Sequence, residues 1–332
     1  MAKKVLVTGG VGFVGHHAVE HLLKNTNWHV IIVDSLNYAG NLNRLTDTDI
    51  WEKEKDRVEF VWHDLRAPIS ETTHKMIGDL DYIWHLAAES HVERSLEDSV
   101  PFVTSNVLGT TNLLEYIKKE QPNLKKYIQF STDEVYGPAP EGVFYKEWDR
   151  LKPSNPYAAT KGGGDLLAFA FSHSFRLPIL VTRSMNIFGE RQHPEKFIPR
   201  TVRAMLNNET IVIHGVPGNI SSRCWIHARS VADAVIFLLK NGEPGEIYNI
   251  AGEERSVLDL ANRISELIRG RKLSEEETEY VDFHRTRPGH DRRYALDGTK
   301  LREIGWASKL TLDQSFDKMI HWMVKHPEWL NL

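Results

Sequence analysis

The chain has 332 residues, of which 41% are hydrophobic and 26% charged, proportions of a globular protein with room for one large domain or two closely packed ones. Its formal net charge is −4 with acids and bases interspersed, which argues against nucleic acid as a partner but leaves an anionic small molecule open, since a local arginine cluster could hold one. Cys224 is the only cysteine and no apolar run reaches the ~7–15 residues of a secretory signal or the ~18 of a membrane span, so a reducing, cytoplasmic setting is expected.

The first apolar run, residues 5–8, leads into Thr8-Gly9-Gly10-Val11-Gly12-Phe13-Val14-Gly15 and then a helical pattern over 15–24. Glycines permit the tight turn and let the backbone approach a pyrophosphate, whose charge sits on the amides of the helix N-terminus. Gly9, Gly12, Phe13, Val14 and Gly15 are therefore candidate cofactor contacts. The second run, 30–34, closes on Asp34. A carboxylate there accepts from both adenosine ribose hydroxyls and repels a 2′-phosphate, favouring NAD over NADP.

Further apolar runs at 58–62, 82–86, 126–131 and 179–183 alternate with helical patterns at 101–119 and 158–175. Strands alternating with helices predict an α/β protein built on a Rossmann-type, doubly wound parallel sheet. Beyond about residue 188, short strand patterns (211–214, 247–250, 279–281) mix with helical ones at 198–206, 230–239 and 257–268. The expected organisation is an NAD-binding domain over 1–187, joined by parts of 224–252, and a smaller α/β substrate-binding lobe formed mainly by 188–332.

Asn155-Pro156-Tyr157-Ala158-Ala159-Thr160-Lys161 sets a phenol and an ammonium one helical turn apart, on one face. An alcohol that gives up a hydride must also lose its proton, and a phenol of pKa near ~10 is too weakly ionised to take it. The ammonium, helped by a positive nicotinamide ring, is expected to lower that pKa. Thr132, at the end of the run 126–131, offers a hydroxyl to the same oxygen. Asp133 and Glu134 follow at once in Ser131-Thr132-Asp133-Glu134-Val135-Tyr136-Gly137. Oxidation alone needs neither. Eliminating water beside a new ketone needs both a base for the acidified C–H and an acid for the departing hydroxyl, and neighbouring carboxyls can hold opposite protonation states.

The turn Gly12-Phe13-Val14-Gly15 resembles the extended branch of the short-chain dehydrogenase/reductase superfamily. With His85-Leu86-Ala87-Ala88-Glu89-Ser90-His91-Val92-Glu93-Arg94-Ser95, the two segments above, His193-Pro194-Glu195-Lys196 and Arg287-Pro288-Gly289-His290-Asp291-Arg292-Arg293-Tyr294, the chain is similar over nearly its full length to the dTDP-glucose 4,6-dehydratases. The resemblance implies Asp133 as general acid, Glu134 as general base and Tyr157 as the base of C4 oxidation, with Thr132 and Lys161 completing the catalytic set. It implies that the hydride taken from C4 returns to C6. At the cofactor it places Asp34, Ser35, Leu36, Asn37, Asp64, Leu65, Leu86, Ala87, Ala88, Ser90 and Ser105, with Tyr157 and Lys161. At the nucleotide sugar it places Ser90, Thr132, Asn186, Lys196, Phe197, Val212, His214, Arg223, Arg287 and His290. A homodimer paired through 101–119 and 158–175 is also implied.

Departures bear on the substrate: Ile187 follows Asn186, Cys224 stands between Arg223 and Trp225, and Glu253-Glu254-Arg255 follows Tyr248-Asn249-Ile250. The expectation is a dTDP-sugar, with UDP and other nucleoside diphosphates as alternatives. A nucleotide-sugar 4-epimerase needs no acid–base pair, and a non-catalytic NAD-binding scaffold needs none of the reactive set. No metal is expected, because His16 and His17 lie on the first helix and His284 and His290 lack partners at ligand spacing.

Overall fold

Side chains alternate in direction along each central strand, so both faces of the sheet need covering. The computed structural model describes residues 2–282 and 293–331. Its first half forms β1 (Lys4–Thr8), β2 (His29–Asp34), β3 (Val58–Trp62), β4 (Tyr82–His85), β5 (Lys126–Thr132) and β6 (Ile179–Ser184). The second half adds β7 (Asn186–Phe188), β8 (Ile211–Val216), β9 (Asn219–Ile220), β10 (Ser222–His227), β11 (Ile247–Ile250), β12 (Glu253–Ser256) and β13 (Thr278–Val281). Seven strands make one parallel sheet in the order β11-β6-β5-β4-β1-β2-β3. This is the Rossmann-type sheet that the alternation predicts. The chain order reverses between β1 and β4, the place where such sheets bind ligands beyond their carboxyl ends.

Val5, Val7, Val30 and Ile32 pack on one face against α1 (Phe13–Asn25). Leu6, Ile31 and Val33 pack on the other against α2 (Gly109–Glu120) and α3 (Pro156–Phe175). Burying each such side chain contributes on the order of 1.5–3 kcal/mol. A one-residue slip would turn every one of them to the wrong face, so the register is firmly held. The longer of the later helices are α4 (Phe197–Leu206), α5 (Ala228–Asn241), α6 (Val257–Arg269) and α7 (Leu312–Lys325). Of these, α5 returns to the large sheet and joins α1 on its face, while β11 extends the sheet beside β6. Two three-stranded sheets, β12-β10-β7 and β13-β8-β9, enclose a second core with α4, α6 and α7, centred on Phe188, Val202, Ile213, Trp225, Ile264 and Phe316.

The helix expected over 101–119 forms as one continuous run over 100–120, but with a π-helical segment inside it. Val100–Phe102 is a short helical piece, Val103–Leu108 a π-helical turn, and α2 begins only at Gly109. Asn106 in this turn is buried and bonds both backbone groups of Glu89 and the Thr160 hydroxyl. The extra residue in the turn thus tethers the loop after β4 to α3, the kind of site where π-turns recur.

Candidate active site

β1 ends in the glycine turn. Gly9 adopts a φ of 69°. A Cβ on it would come within 2.9 Å of the Ala87 backbone, and one on Gly15 would collide with the Gly9 carbonyl. Close approach of turn, helix and β4 loop therefore dictates glycine. The turn opens α1 without a side-chain cap. Beside it, Asp34 Oδ1 accepts from Leu36 N at 2.9 Å and Oδ2 from Val11 N at 3.2 Å. Burial raises the Asp34 pKa, against the pull of these amides and of Arg44. Arg44 is 2% exposed and donates to the carbonyls of Val11, Ala39 and Arg191, lashing the loop after Asp34 to the turn.

A cavity of about 500 Å³ runs from this turn across the sheet to the second lobe, within the ~300–1,000 Å³ usual for small-molecule sites. Its wall takes in Gly9, Gly12, Phe13, Val14, Gly15, Asp34, Ser35, Asn37, Asp64, Leu65, Leu86, Ala87, Ala88, Ser90 and Ser105 on the expected cofactor side. Thr132, Asp133, Glu134, Tyr157, Lys161, Asn186, Lys196, Phe197, His214 and Arg223 line the remainder. Leu36 and Val212 are not on this wall. Leu36 has a φ of 53° that turns it outward, 39% exposed, and Val212 sits two residues further down β8 than His214. Arg287 and His290 lie outside the described residues.

β5 delivers the carboxylates. Thr132 Oγ1 donates to Asp133 Oδ1 at 3.0 Å and accepts from Glu134 N at 3.4 Å as the chain turns into the 3₁₀ helix Asp133–Tyr136. Asp133 is 3% exposed. Burial, reinforced by the neighbouring Glu134 charge, pushes its pKa up to about 7. Glu134 Oε2 instead accepts from Asn155 Nδ2 at 3.0 Å, a contact that favours the ionised form. The same Asn155 caps α3, its Oδ1 accepting from Ala158 N at 2.8 Å. Its double role was not evident from the sequence.

α3 delivers the phenol and the ammonium. Lys161 is buried and donates to the Phe130 carbonyl at 2.6 Å, tying α3 to β5. Burial lowers its pKa to about 8, with Asp165 pulling upward. The Tyr157 phenol is held well above its usual range, first by burial and then by the Glu134 and Asp133 charges, while the Thr132 hydroxyl acts the other way. The lowering expected from a lysine neighbour is therefore not a property of the protein alone. It requires positive charge brought into the cavity.

At the second-lobe end, Arg200, Ser221, Trp225 and Val257 join Phe197, His214 and Arg223. Arg200 Nη2 lies 3.4 Å from His214 Nε2, and burial with the two arginines pushes the imidazole down to about 3, so it is neutral. Arg200 was missed, although it stands only four residues after Lys196 on a helix of known phase. Where the lobes meet, Tyr38 donates to Glu195 Oε2 and stacks against the Arg94 guanidinium, 3.9 Å away. Lys196 donates to the Ser90 carbonyl at 3.3 Å. Among the described residues no cluster of three His, Cys, Asp or Glu is placed to hold a metal ion, and no helix is long and apolar enough to cross a membrane.

The family model described as GDP-mannose 4,6 dehydratase matches residues 6–319. The chain is 38% identical over 325 residues to the low-salt glycan biosynthesis protein Agl12 of Haloferax volcanii, spanning 98% of this chain and 99% of that one. It is 34% identical over 331 residues to a trifunctional UDP-glucose 4,6-dehydratase/UDP-4-keto-6-deoxy-D-glucose 3,5-epimerase/UDP-4-keto-L-rhamnose-reductase of Arabidopsis thaliana, spanning 98% of this chain but 48% of that longer protein. Among solved structures, DesIV from Streptomyces venezuelae, a dTDP-glucose 4,6-dehydratase with NAD and TYD bound, superposes with a TM-score of 0.88 at 33% identity over 99% of each chain.

Proposed function

The chain belongs to the GDP-mannose 4,6 dehydratase family, and from that premise we propose that it is an NAD-dependent hydro-lyase converting dTDP-glucose into dTDP-4-keto-6-deoxyglucose. One observation carries this reading. The buried Asp133, with its pKa near 7, and Glu134, bonded by Asn155, stand on the same cavity as Tyr157 and Lys161. A 4-epimerase would have no use for two carboxyls beside the Tyr157–Lys161 pair.

The glycine turn, the uncapped start of α1 and the Asp34 carboxylate fit a dinucleotide, offering amides to its pyrophosphate and an acceptor to its adenosine ribose. When bound, NAD supplies the acceptor for the C4 hydride and the donor that returns it to C6, and its positive ring is the charge that Tyr157 needs. Tyr157 then takes the C4 hydroxyl proton, with Thr132 bonding the same oxygen and Lys161 stabilising the phenolate. Glu134 removes the C5 proton, acidified by the ketone, and returns a proton to C5 when the hydride is delivered to C6. Asp133 gives its proton to the C6 hydroxyl as it leaves as water. Arg223, Arg200 and Lys196 supply cations for the substrate diphosphate.

A UDP-hexose is the second reading, favoured by the similarity to the plant UDP-glucose enzyme. Turnover on dTDP-glucose, UDP-glucose, CDP-glucose and GDP-mannose, followed by the alkali-induced absorbance of a 4-keto-6-deoxy product, separates these. Formation of a C4 epimer without that product overturns the dehydratase reading. We further propose a cytoplasmic homodimer. The exposed apolar side chains Val100 (64%), Val103 (48%), Leu108 (44%) and Leu166 (62%) on the segment before α2 and on α3 support such a pairing, because the two segments pack side by side and apolar side chains grouped on one surface, unlike scattered ones, mark an interaction site.

A further inference from the structure

Tyr157, Lys161 and Asp165 recur at intervals of four along α3 and so form one stripe facing β5. The third member has no part in the chemistry described above. Asp165 is fully buried and pairs with Arg183 of β6, Oδ2 to Nε at 3.1 Å, with the guanidinium side chain 2% exposed. Arg183 also donates through Nη1 to the Tyr136 hydroxyl at 2.7 Å and to the Glu147 carbonyl at 3.3 Å. Tyr136 in turn donates to Asn249 Oδ1 at 3.3 Å. It closes the short helix that begins with Asp133 and Glu134.

A buried ion pair is a poor device for stability alone, because desolvating both charges offsets most of their attraction and apolar replacements often serve as well. Its position therefore calls for another reason. Lys161 must remain an ammonium although it too is buried. Its amine is bonded by the Phe130 carbonyl, which is neutral; besides Tyr157 on its own helix it faces His85 on β4, which is pushed down to about 3 by burial and by Lys161 itself. His85 is held as a neutral ring between the hydroxyls of Thr8 and Thr110. The groups facing Asp165 are Arg183 from β6, Ser131 and the Tyr127 phenol from β5, and Lys161 from its own helix.

We propose that Asp165 is a positioning residue for the reaction: it is the counter-charge that keeps Lys161 an ammonium, and through Arg183 it sets the helix carrying Tyr157 against the turn carrying Asp133 and Glu134. This rests on the dehydratase reading. No proton passes through Asp165. Its charge acts one helical turn below Lys161: burial raises the Asp165 pKa, and the Arg183 guanidinium, ahead of Lys161 itself, opposes that rise.

The test is the pH profile of dTDP-glucose turnover, read together with the deuterium isotope effect on substrate labelled at C4. In Asp165→Asn the basic limb is expected to move down by about one to two pH units, with a larger C4 isotope effect as oxidation becomes limiting. Asp165→Glu should restore much of the wild-type profile. Because Asp165→Asn leaves Arg183 buried without a partner, the double variant Asp165→Asn/Arg183→Met serves as well: it strands no charge, and its basic limb should move in the same direction. A folded variant of either kind that turns over with an unmoved limb and an unchanged isotope effect overturns the proposal. Absence of turnover by the wild-type protein on every nucleotide sugar would instead overturn the dehydratase reading on which it rests.

Discussion

Asn155 joins two elements of the candidate site with one amide: its Nδ2 donates to Glu134 Oε2 at 3.0 Å while its Oδ1 caps the helix of Tyr157 at Ala158 N. The two halves of that role can be separated. Asn155→Asp keeps an acceptor for the cap but replaces the donor with a second anion. Glu134 should then ionise less readily, and the acid limb of dehydration should move to higher pH with little change in melting temperature. Asn155→Ala removes both, at a cost of about 1 kcal/mol in helix capping. An Asn155→Asp enzyme with an unaltered acid limb would show that the contact does not tune the base.

Asp133 sets up an opposition between stability and activity. Its pKa rises from 3.8 to about 7 on folding. Below about pH 4 the carboxyl is protonated in both states and folding is indifferent to it. As pH climbs from there to about 7 the unfolded chain releases the proton while the folded one keeps it, so stability falls, by on the order of 4 kcal/mol in total. Asp133→Asn is neutral at every pH and should escape this loss. Thermal melts should show the variant more stable than wild type at pH 8 and nearly equal to it at pH 4, with dehydration abolished. Equal melting temperatures at pH 8 would mean that the wild-type carboxyl is not held protonated.

Glu134→Gln keeps the size and the partner of the proposed base but cannot remove a proton. NAD should still bind, and 4-keto-6-deoxy product should fall by roughly 10²–10⁴-fold, the usual contribution of a positioned base. In the proposed sequence oxidation at C4 precedes that step, so reduced nicotinamide absorbance should accumulate on adding dTDP-glucose. Normal turnover by this variant would move the base to another residue.

The features legible in the sequence are those whose partners lie close along the chain. Gly9 to Gly15 form a turn between a strand and a helix, and Tyr157 and Lys161 lie one helical turn apart, so spacing alone aligns them. The contacts that evade such reading are made across the fold. Asn155 meets Glu134, Arg44 meets the Arg191 carbonyl and Asp165 meets Arg183 only after the sheet has assembled. The π-turn at Val103–Leu108 escaped for the same reason: its apolar pattern is helical, and its departure depends on Asn106 bonding Glu89. Leu36 follows Asp34 in sequence, yet its positive φ turns the side chain away from the cavity, a backbone choice that residue type does not announce.

Asp34 offers a test of cofactor choice that does not depend on turnover. Its two oxygens already accept from Val11 N and Leu36 N, which fixes the carboxylate at the end of β2 beside the glycine turn. A charged acceptor is worth roughly 1.5–3 kcal/mol per hydrogen bond made, so Asp34→Ala should weaken NAD by about 10- to 100-fold. The same change removes the anion that would repel a 2′-phosphate, and Arg44, buried behind Asp34 and electrostatically coupled to it, then faces that position without its counter-charge. NADP should therefore lose less affinity than NAD, or gain some. Titration of cofactor-stripped wild type and variant with both dinucleotides measures the ratio. A wild-type protein that binds NADP as tightly as NAD would remove the case for Asp34 as the discriminating group.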